Sequence, residues 1–341
     1  MQSRFKCVFS FIVVLVAASA CDTEEESPYD EPLGSWVDDE GRLSFRNYED
    51  NSQVMNGAVV NGRRLNGRRL NSDRVGGFAL KAFSLNGLNM TAPTMAANQL
   101  SLVDANAQTV VGTDLEGLRI EMEYEDPETL VKSNWELSHT EMETLSSGLI
   151  MQTIKQRQLP GGSWQNACEN DAKSIQLRGQ WNEDTATLIS SASDRSTWAC
   201  AGAALADCAL WGYVPGKTHG GTSLDGYHQT CLRAKRADYC GTGIHHTENG
   251  HQLDIYDDLG VMVPVTVGLW DVEAMWGPDG AICMNFTRKY DYTKDSSDVS
   301  KAYIGCEVPA CVDGNNDGVI DFVDYPSALI ADRTVPKWKV N

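Results

Sequence analysis

Eight cysteines in the C-terminal half constrain the fold of this chain more than any other feature of its sequence. They are Cys168, Cys200, Cys208, Cys231, Cys240, Cys283, Cys306 and Cys311. An even number of cysteines in an exported chain predicts a disulfide framework, because disulfides persist outside the cytoplasm. Four bridges allow on the order of 100 pairings, and the sequence does not choose among them. We therefore expect a disulfide-bonded C-terminal domain and leave its pairing open.

The start of the chain has the layout of a secretory signal followed by a lipid attachment site. "MQSRFK" supplies two basic residues, "CVFSFIVVLVAA" is a short apolar core, and "SAC" ends at Cys21. This layout predicts a signal peptide over residues 1–20. It resembles a bacterial lipoprotein signal, which implies cleavage before Cys21 and lipid attachment to it; the alternative is ordinary secretion with Cys21 unmodified. The predicted location is extracytoplasmic, with a lipid anchor in the outer membrane or at the cell surface.

The chain is strongly acidic, with a formal net charge of −19. Such a charge repels nucleic acid. The partners we expect are therefore a membrane, contacted through the lipid anchor, and an unidentified extracellular or periplasmic partner. Residues 21–50 are rich in Asp, Glu and Pro and poor in aliphatic side chains. This composition predicts a disordered acidic linker between the membrane and the folded part.

Residues 51–92 carry a repeat of five residues. An apolar side chain recurs in strict phase at Met55, Val60, Leu65, Leu70, Val75, Leu80, Leu85 and Met90. A period of five fits neither an α-helix nor a β-strand. It resembles the pentapeptide-repeat family, whose chain forms a square β-helix, although Arg63 and Arg68 stand where that family has a small residue. We expect one or two square coils that act as a stalk or edge cover; the alternative is a binding platform.

The segments that follow the repeat differ in composition. Residues 93–160 alternate apolar and polar side chains, as in "TVVGTDLEGLRIEMEYED", and this period of two predicts a β meander. Residues 161–290 are rich in Cys, Trp and Gly, and "STWACAGAALADCALWGYVPG" and "SLDGYHQTCLRAKRADYCG" each predict a helix. Residues 291–341 form a tail. The expected fold class is α+β: a β-rich N-terminal part with the period-five repeat, then a disulfide-bonded α+β C-terminal domain.

Three stretches within residues 161–290 carry a family resemblance. "ACAGAALADCALWGY", "HQTCLRAKRADYCGTGIHHTENGHQLDIYD" and "EAMWGPDGAICM" resemble the ADYC-domain proteins, which are exported, often lipid-anchored bacterial proteins. The family is named for Ala-Asp-Tyr-Cys, here Ala237 to Cys240. The resemblance implies an extracytoplasmic, disulfide-bonded domain and transfers no catalytic residue, because the family has no established activity. Ile244 and His245 depart from the small residue and the serine expected before His246.

Polar residues near this motif could form an active site. A histidine beside a carboxylate can act as a general base, which makes Asp238 and His246 candidates for a catalytic pair, with His245, Asp254 and Asp257 as neighbours. An ion pair or a helix cap explains Asp238 as well, because basic residues precede it. The sequence shows no nucleophile beside these residues, so we prefer the structural explanation.

Zinc binding is a further alternative in the same region. His228 and Cys231 lie three residues apart on a predicted helix, which is zinc-ligand spacing. An exported chain with eight cysteines more often bridges its cysteines than binds metal with them. We therefore expect Cys231 in a disulfide.

"DGNNDGVIDFVD", residues 313–324, has the pattern of a twelve-residue calcium loop. Calcium prefers oxygen ligands, and such a loop supplies them from positions 1, 3, 5, 7, 9 and 12, with glycine at position 6. The loop resembles those of dockerin modules, and no second copy follows it. Cys311 and Pro326 flank it, so we expect a structural Ca²⁺ site that clips the tail and not a sensor. The predicted ligands are Asp313, Asn315, Asp317, the carbonyl of Val319, Asp321 and Asp324.

Together these features predict a lipid-anchored extracytoplasmic bacterial surface protein with a non-catalytic binding or structural role and a structural calcium site. The alternative is an exported hydrolase that uses Asp238 and His246 in the cysteine-rich domain. The two hypotheses require different surroundings for these side chains. An active site needs both in one open pocket with a further polar group, whereas a structural role leaves each buried and paired.

Overall fold

The structure is a computed structural model that describes residues 36–37, 43–44, 55–96, 98–247, 253–264, 270–288 and 304–334. The predicted signal peptide, the predicted lipidation site at Cys21 and most of the predicted linker lie outside these residues. Within the linker, Trp36–Val37 pairs with Leu43–Ser44 as two short antiparallel strands. All described residues belong to one compact unit that begins at Ser35.

β-Strands dominate the described residues, which contain 23 of them. In chain order these are β1 (Trp36–Val37), β2 (Leu43–Ser44), β3 (Val59–Val60), β4 (Arg63–Arg64), β5 (Arg68–Arg69), β6 (Phe78–Leu85), β7 (Leu88–Ala96), β8 (Gln99–Val103), β9 (Thr109–Val111), β10 (Arg119–Glu125), β11 (Lys132–Thr144), β12 (Ile150–Leu159), β13 (Gln165–Asn166), β14 (Ser174–Arg178), β15 (Gln180–Trp181), β16 (Leu188–Ser190), β17 (Arg195–Cys200), β18 (Thr218–His219), β19 (Thr222–Ser223), β20 (Asp254–Asp257), β21 (Asp271–Gly277), β22 (Gly280–Met284) and β23 (Ile330–Thr334).

Helices are few in the described part of the chain. The two α-helices are α1 (Ala204–Leu210) and α2 (Asp225–Arg236), and Gly112–Leu115 and Glu169–Asp171 form short 3-10 helices. None of these helices, nor any other in the described ranges, has the length and apolarity needed to cross a membrane. The described residues therefore form a mostly-β fold.

Eleven of these strands form one antiparallel sheet. Its order is β5-β17-β14-β12-β11-β10-β6-β7-β8-β9, and β13 pairs with β12. β10, β11 and β12 are neighbours in chain order. Along β10 the buried residues Ile120, Met122 and Tyr124 alternate with more exposed residues. This alternation follows from the period of two, because successive side chains of a strand point to opposite faces of the sheet.

The period-five segment buries its apolar residues without forming the square coil expected from the repeat. Asn61 and Gly62 have φ of 49° and 69°, the positive values required at both centres of a type I′ hairpin turn. β3 and β4 therefore pair antiparallel across this turn, and β5 pairs antiparallel with β17, whereas successive coils of a β-helix run parallel. The five-residue spacing is still visible in which side chains are buried: Met55, Val60, Leu65 and Leu70.

The first predicted helix of the cysteine-rich segment is shorter than the sequence indicated. Its first five residues belong to strand β17, in which Trp198 is fully buried within the large sheet. Gly202 adopts a φ of +88°, and this changes the direction of the backbone before α1 begins at Ala204. The second predicted helix corresponds to α2.

The tail completes a second antiparallel sheet of order β20-β23-β21-β22. β23 lies between β20 and β21 and forms hydrogen bonds with both. α2 packs against β21, β22 and β23. The apolar core on this side joins side chains of α1, α2 and both sheets, including Leu205, Leu232, Trp276 and Ile330.

Four disulfides confirm the predicted cysteine framework. The pairs are Cys168–Cys200, Cys208–Cys231, Cys240–Cys306 and Cys283–Cys311. The first joins β17 to the connection between β13 and β14, and the second joins α1 to α2. The last two attach the tail to the motif Ala237–Cys240 and to β22.

Candidate functional site

The motif Ala-Asp-Tyr-Cys begins where α2 ends. Ala237 is fully buried and has φ 49° and ψ 45°, the left-handed conformation that closes many helices. The N–H of Asp238 then donates to the carbonyl of Arg233 at 2.9 Å. This turn aims the next three side chains in different directions, so each member of the motif contacts a different part of the domain.

Asp238 holds the loop that follows the motif. Its carboxylate is 1% exposed and accepts hydrogen bonds from Arg233 Nη1 at 2.5 Å, Gly243 N at 2.8 Å and Thr242 N at 3.0 Å. A Cβ at Gly243 would lie 1.8 Å from the carbonyl oxygen of Asp184, so only glycine fits there. Asp238 is therefore both an ion-pair partner and a cap for the backbone of this loop.

Tyr239 connects the motif to a buried charged cluster. Its hydroxyl donates to Glu273 Oε1 at 2.7 Å and accepts the N–H of Arg288 at 2.7 Å. Its ring stacks on Trp276 with centroids 5.2 Å apart. Burial and the nearby Glu273 carboxylate raise the pKa of Tyr239 well above its ordinary value. The phenol is therefore a fixed neutral donor.

Arg288 is the centre of that cluster. The side chains of Arg288, Glu273 and Asp332 are all 0% exposed. Arg288 Nε donates to Glu273 Oε2 at 3.0 Å, and Nη2 donates to Asp332 Oδ2 at 2.8 Å. Its other donors reach the carbonyls of Ala234 at 2.7 Å and Lys235 at 2.9 Å. Arg288 thus ties α2 to β21 and β23 at once.

Asp332 is the carboxylate that the tail adds to this cluster. Its Oδ1 accepts Trp276 Nε1 at 2.8 Å and the N–H of Ala274 at 3.1 Å. Burial and the Glu273 carboxylate raise the pKa of Asp332 well above its ordinary value, although Arg288 opposes this. Two carboxylates share one guanidinium here, so the Glu273 carboxylate adds to the effect of burial on the pKa of Asp332.

The other candidates for catalysis occupy separate positions. His246 Nδ1 lies 3.2 Å from the carbonyl of Ala237, and its ring lies against Tyr239. Asp254 pairs with Arg333 at 2.6 Å, and Asp257 accepts the hydroxyl of Tyr213 at 2.7 Å. His245 is half-buried in the loop after the motif. Each carboxylate is thus already engaged by a neighbouring cation or hydroxyl.

The zinc alternative is wrong for Cys231. Its sulfur is bonded to Cys208 and offers no thiolate to a metal. His228 is buried and places Nε2 3.2 Å from the carbonyl of Leu205. Burial lowers the pKa of His228 to about 4, so the imidazole is a neutral core residue.

A second buried histidine lies in the large sheet. His139 Nε2 accepts a hydrogen bond from Trp198 Nε1 at 3.2 Å, and its Nδ1 has no partner. Burial lowers the pKa of His139 to about 4. Its side chain lines a small cavity together with Gln152 and Gln176. Both buried histidines therefore stay neutral at pH 7.

The predicted calcium loop is an exposed turn whose side-chain oxygens accept hydrogen bonds from backbone N–H groups of the same loop. Asp313 Oδ2 accepts the N–H of Gly318 at 2.7 Å, which joins positions 1 and 6 of the loop. Gly318 has φ +88°, as the sharp turn at position 6 requires. Asp324 Oδ1 accepts the N–H of Gly314 at 3.0 Å and of Asn315 at 3.1 Å. The first and last predicted ligands thus close the two ends of the loop.

The remaining predicted ligands lie along the same turn. Asn315 Oδ1 accepts the N–H of Asp317 at 2.9 Å, and Asp317 Oδ1 accepts the N–H of Val319 at 2.9 Å. Asp321 Oδ1 accepts the N–H of Val323 at 2.7 Å. These oxygens match the chemistry that calcium prefers, and an ionised carboxylate keeps further lone pairs for an ion. Across the described part of the chain, however, no three His, Cys, Asp or Glu side chains converge as a metal site.

Sequence reasoning did not find the Arg288 cluster. Glu273, Arg288 and Asp332 stand 15 and 44 residues apart along the chain, and no motif joins them. The stretch "LIADRT" gave no signal for a buried Asp332, because its apolar and polar residues form two blocks and do not alternate as in a half-buried strand.

Comparison with known proteins identifies the region around this site. A family model described as ADYC domain matches residues 112–290, just over half of the 341 residues. The match begins near the end of β9 and ends before the tail that contains Cys306, Cys311 and Asp332. No curated protein and no solved structure matches the chain significantly.

Proposed function

This chain belongs to the ADYC-domain family, and from that premise we propose that it is a lipid-anchored extracytoplasmic surface protein with a non-catalytic structural or binding role. The observation that carries the proposal is the state of Asp238. Both of its oxygens are occupied by Arg233 and by loop N–H groups, and the carboxylate is buried. An acid or base must reach a substrate proton, and Asp238 contacts only its own domain.

The disulfides support the extracytoplasmic part of the proposal. Four disulfides in one chain are typical of an oxidising compartment and rare in the cytoplasm. Together with the signal-like start of the sequence and Cys21, they favour export followed by lipid attachment. The acidic linker then separates the folded part from the membrane, and the period-five segment covers one end of the large sheet.

The calcium site is a second element of the proposal. Asp313, Asn315, Asp317, Asp321 and Asp324, with the carbonyl of Val319, would hold Ca²⁺ as a clip on the tail. The order of the oxygens along the loop and the position of Gly318 support this. We also interpret the C-terminal part, in which α1 and α2 accompany the four-stranded sheet, as an α+β domain.

A labelling experiment tests the anchor. The full chain is expressed in a bacterium with an alkyne-bearing fatty acid, and Cys21→Ser serves as the matched variant. We expect labelled protein in the membrane fraction for the parent chain and an unlabelled, released form for the variant. An unlabelled parent chain that is nevertheless exported would overturn lipid attachment and leave ordinary secretion.

The non-catalytic role has its own test. Purified protein is assayed against ester, peptide and glycoside substrates beside a His246→Ala variant, because His246 is only half-buried and its replacement preserves the core. We expect no turnover above background in either sample. Turnover that the variant loses while it keeps the parent melting temperature would establish the hydrolase alternative with Asp238 and His246.

A further inference from the structure

His139, in β11, keeps a hydrogen-bond donor in the interior of the large sheet. The residue is 0% exposed, and its Nε2 accepts the N–H of the Trp198 indole at 3.2 Å. An indole nitrogen only donates, so Nε2 must present its lone pair. Because burial keeps the ring neutral, the one imidazole proton lies on Nδ1. This Nδ1–H is buried and has no partner among the described residues.

A small cavity lies beside this ring, where the pairing of β11 with β12 is irregular. Glu141 and Met142 of β11 together oppose Gln152 of β12. This two-to-one arrangement is a β-bulge, in which Glu141 has a φ of 54°. A bulge bends its strand and interrupts the regular ladder of hydrogen bonds. His139, Met142 and Gln152 all line the cavity, so the unpartnered donor and the bulge adjoin the same space.

Two buried glutamines bring further polar groups to this cavity. Gln152 is 1% exposed, and Gln176, in β14, is 6% exposed. Both line the cavity together with His139. Gln176 Nε2 donates to Ser196 Oγ at 2.6 Å, which fixes the orientation of that amide. The oxygen of a side-chain amide can accept two hydrogen bonds, so each glutamine offers an acceptor to a molecule in the cavity.

The size of the cavity limits what can bind there. The space open to the centre of a water molecule is about 10 Å³, which is close to the least that holds one water. Phosphate and sulfate are too large for this space. A metal ion does not fit the chemistry, because it would need the ring lone pair at the position where Nδ1 carries its proton.

We propose that this cavity binds one buried water molecule, which accepts the Nδ1–H of His139 and donates to the amide oxygens of Gln152 and Gln176. A buried water typically forms about three hydrogen bonds to polar groups that are otherwise unsatisfied. These three residues lie on β11, β12 and β14, which are neighbours in the sheet. The water would therefore join three strands beside the bulge. The site is independent of the proposed anchor and of the calcium clip.

NMR of the full folded chain with ¹⁵N-labelled histidine tests the proposal. We expect His139 to carry its proton on Nδ1, and this proton to show a cross-peak to water with the sign of a long-lived bound molecule. His228 is the matched control within the same sample. Its Nε2 lies 3.2 Å from the carbonyl of Leu205, so we expect the opposite tautomer and no cross-peak between its Nε2 proton and water.

Two variants of β12 test the partners of the water. Gln152→Met removes an amide at similar volume and should abolish the cross-peak from His139. Gln156→Met should preserve it, because Gln156 does not line the cavity and donates to the carbonyl of Val59 at 2.9 Å. If Gln152→Met does not fold, the spectrum of the parent chain still decides the question. A His139 proton on Nε2, no cross-peak to water in the parent chain, or equal responses of the two variants would overturn the site.

Discussion

Two acidic regions of this protein place their carboxylates in opposite environments. Around Arg288, the carboxylates of Glu273 and Asp332 are fully buried and bonded to a guanidinium, a phenol and an indole. In the loop of residues 313–324, the aspartates lie at the surface and accept backbone N–H groups of the same loop. In the first region, other side chains pair with the buried carboxylates. In the second, the carboxylate oxygens keep lone pairs that solvent or an ion can use.

The difference indicates what each region can contribute. A buried ion cluster is costly to break, because removal of one member leaves the others uncompensated in a medium of low polarity. An exposed loop loses little when a single carboxylate is removed, and its contribution depends on what binds to it. We therefore expect the Arg288 cluster to stabilise the fold by itself, and the loop to stabilise it only to the extent that something binds there.

Replacement of Arg288 should give the largest effect. Arg288→Met leaves Glu273 and Asp332 without their cation, and we expect a loss of about 3–5 kcal/mol in the free energy of unfolding, measured with urea. The matched control Arg69→Met breaks an exposed pair with Asp73 and should cost less than about 1 kcal/mol. A loss for Arg288→Met no greater than for this control would refute the assignment.

Removal of the disulfide that joins the two regions should come next. Cys283 lies in β22, Cys311 lies just before the loop, and the bridge spans 28 residues. The double change to serine should cost about 3–4 kcal/mol through the entropy of the unfolded chain. We also expect faster proteolysis between residues 311 and 330. If the loop resists protease equally in both proteins, the bridge does not restrain it.

Acid should lower the free energy of unfolding, because two buried histidines are neutral in the folded protein. The pKa values of His139 and His228 fall from 6.5 to about 4 in the folded protein, so the folded state binds a proton less readily than the unfolded chain. Their contribution is present above pH 6.5 and is lost as the pH falls toward 4, by about 2 kcal/mol for each histidine between pH 7 and pH 5.

The raised pKa of Asp332 acts in the opposite direction. Its contribution is present at low pH and is lost as the pH rises through its folded pKa, so it partly offsets the histidines on acidification. Urea unfolding at pH 7 and pH 5 measures the sum. His228→Gln should reduce the difference between the two pH values, whereas the exposed His219→Gln should not; equal slopes for both variants would exclude His228 as a cause.

Calcium should give the smallest effect. With the ion in tenfold excess over its dissociation constant, we expect about 1.4 kcal/mol of added stability, seen as a difference in melting temperature with and without EDTA. Asp317→Ala should abolish the difference. Asp104→Ala should preserve it, because Asp104 also caps a turn through backbone N–H groups but lies outside the loop. No difference in the parent protein would end the calcium proposal.

Local features of this fold were predictable, and distant ones were not. The cysteine count predicted a disulfide framework, and the residue pattern of "SLDGYHQTCLRAKRADYCG" predicted α2, because both depend on neighbouring residues. The pairing of Cys240 with Cys306 depends on chain contacts 66 residues apart, which no local pattern encodes. The square coil failed for a related reason: Asn61 and Gly62 favoured a hairpin, and the antiparallel partner of β5 is the distant strand β17.

The position of β23 has a consequence for how the protein is made. This strand is the last described element of the chain, yet it lies inside its sheet and supplies Asp332 to Arg288. The four-stranded sheet cannot form until the ribosome has synthesised the chain through Thr334. Until then Arg288 lacks Asp332, one of its two carboxylate partners, and the face of α2 that packs against β23 is uncovered. A nonsense codon after Cys311 would therefore remove few residues and still deprive the whole C-terminal domain of its completed core.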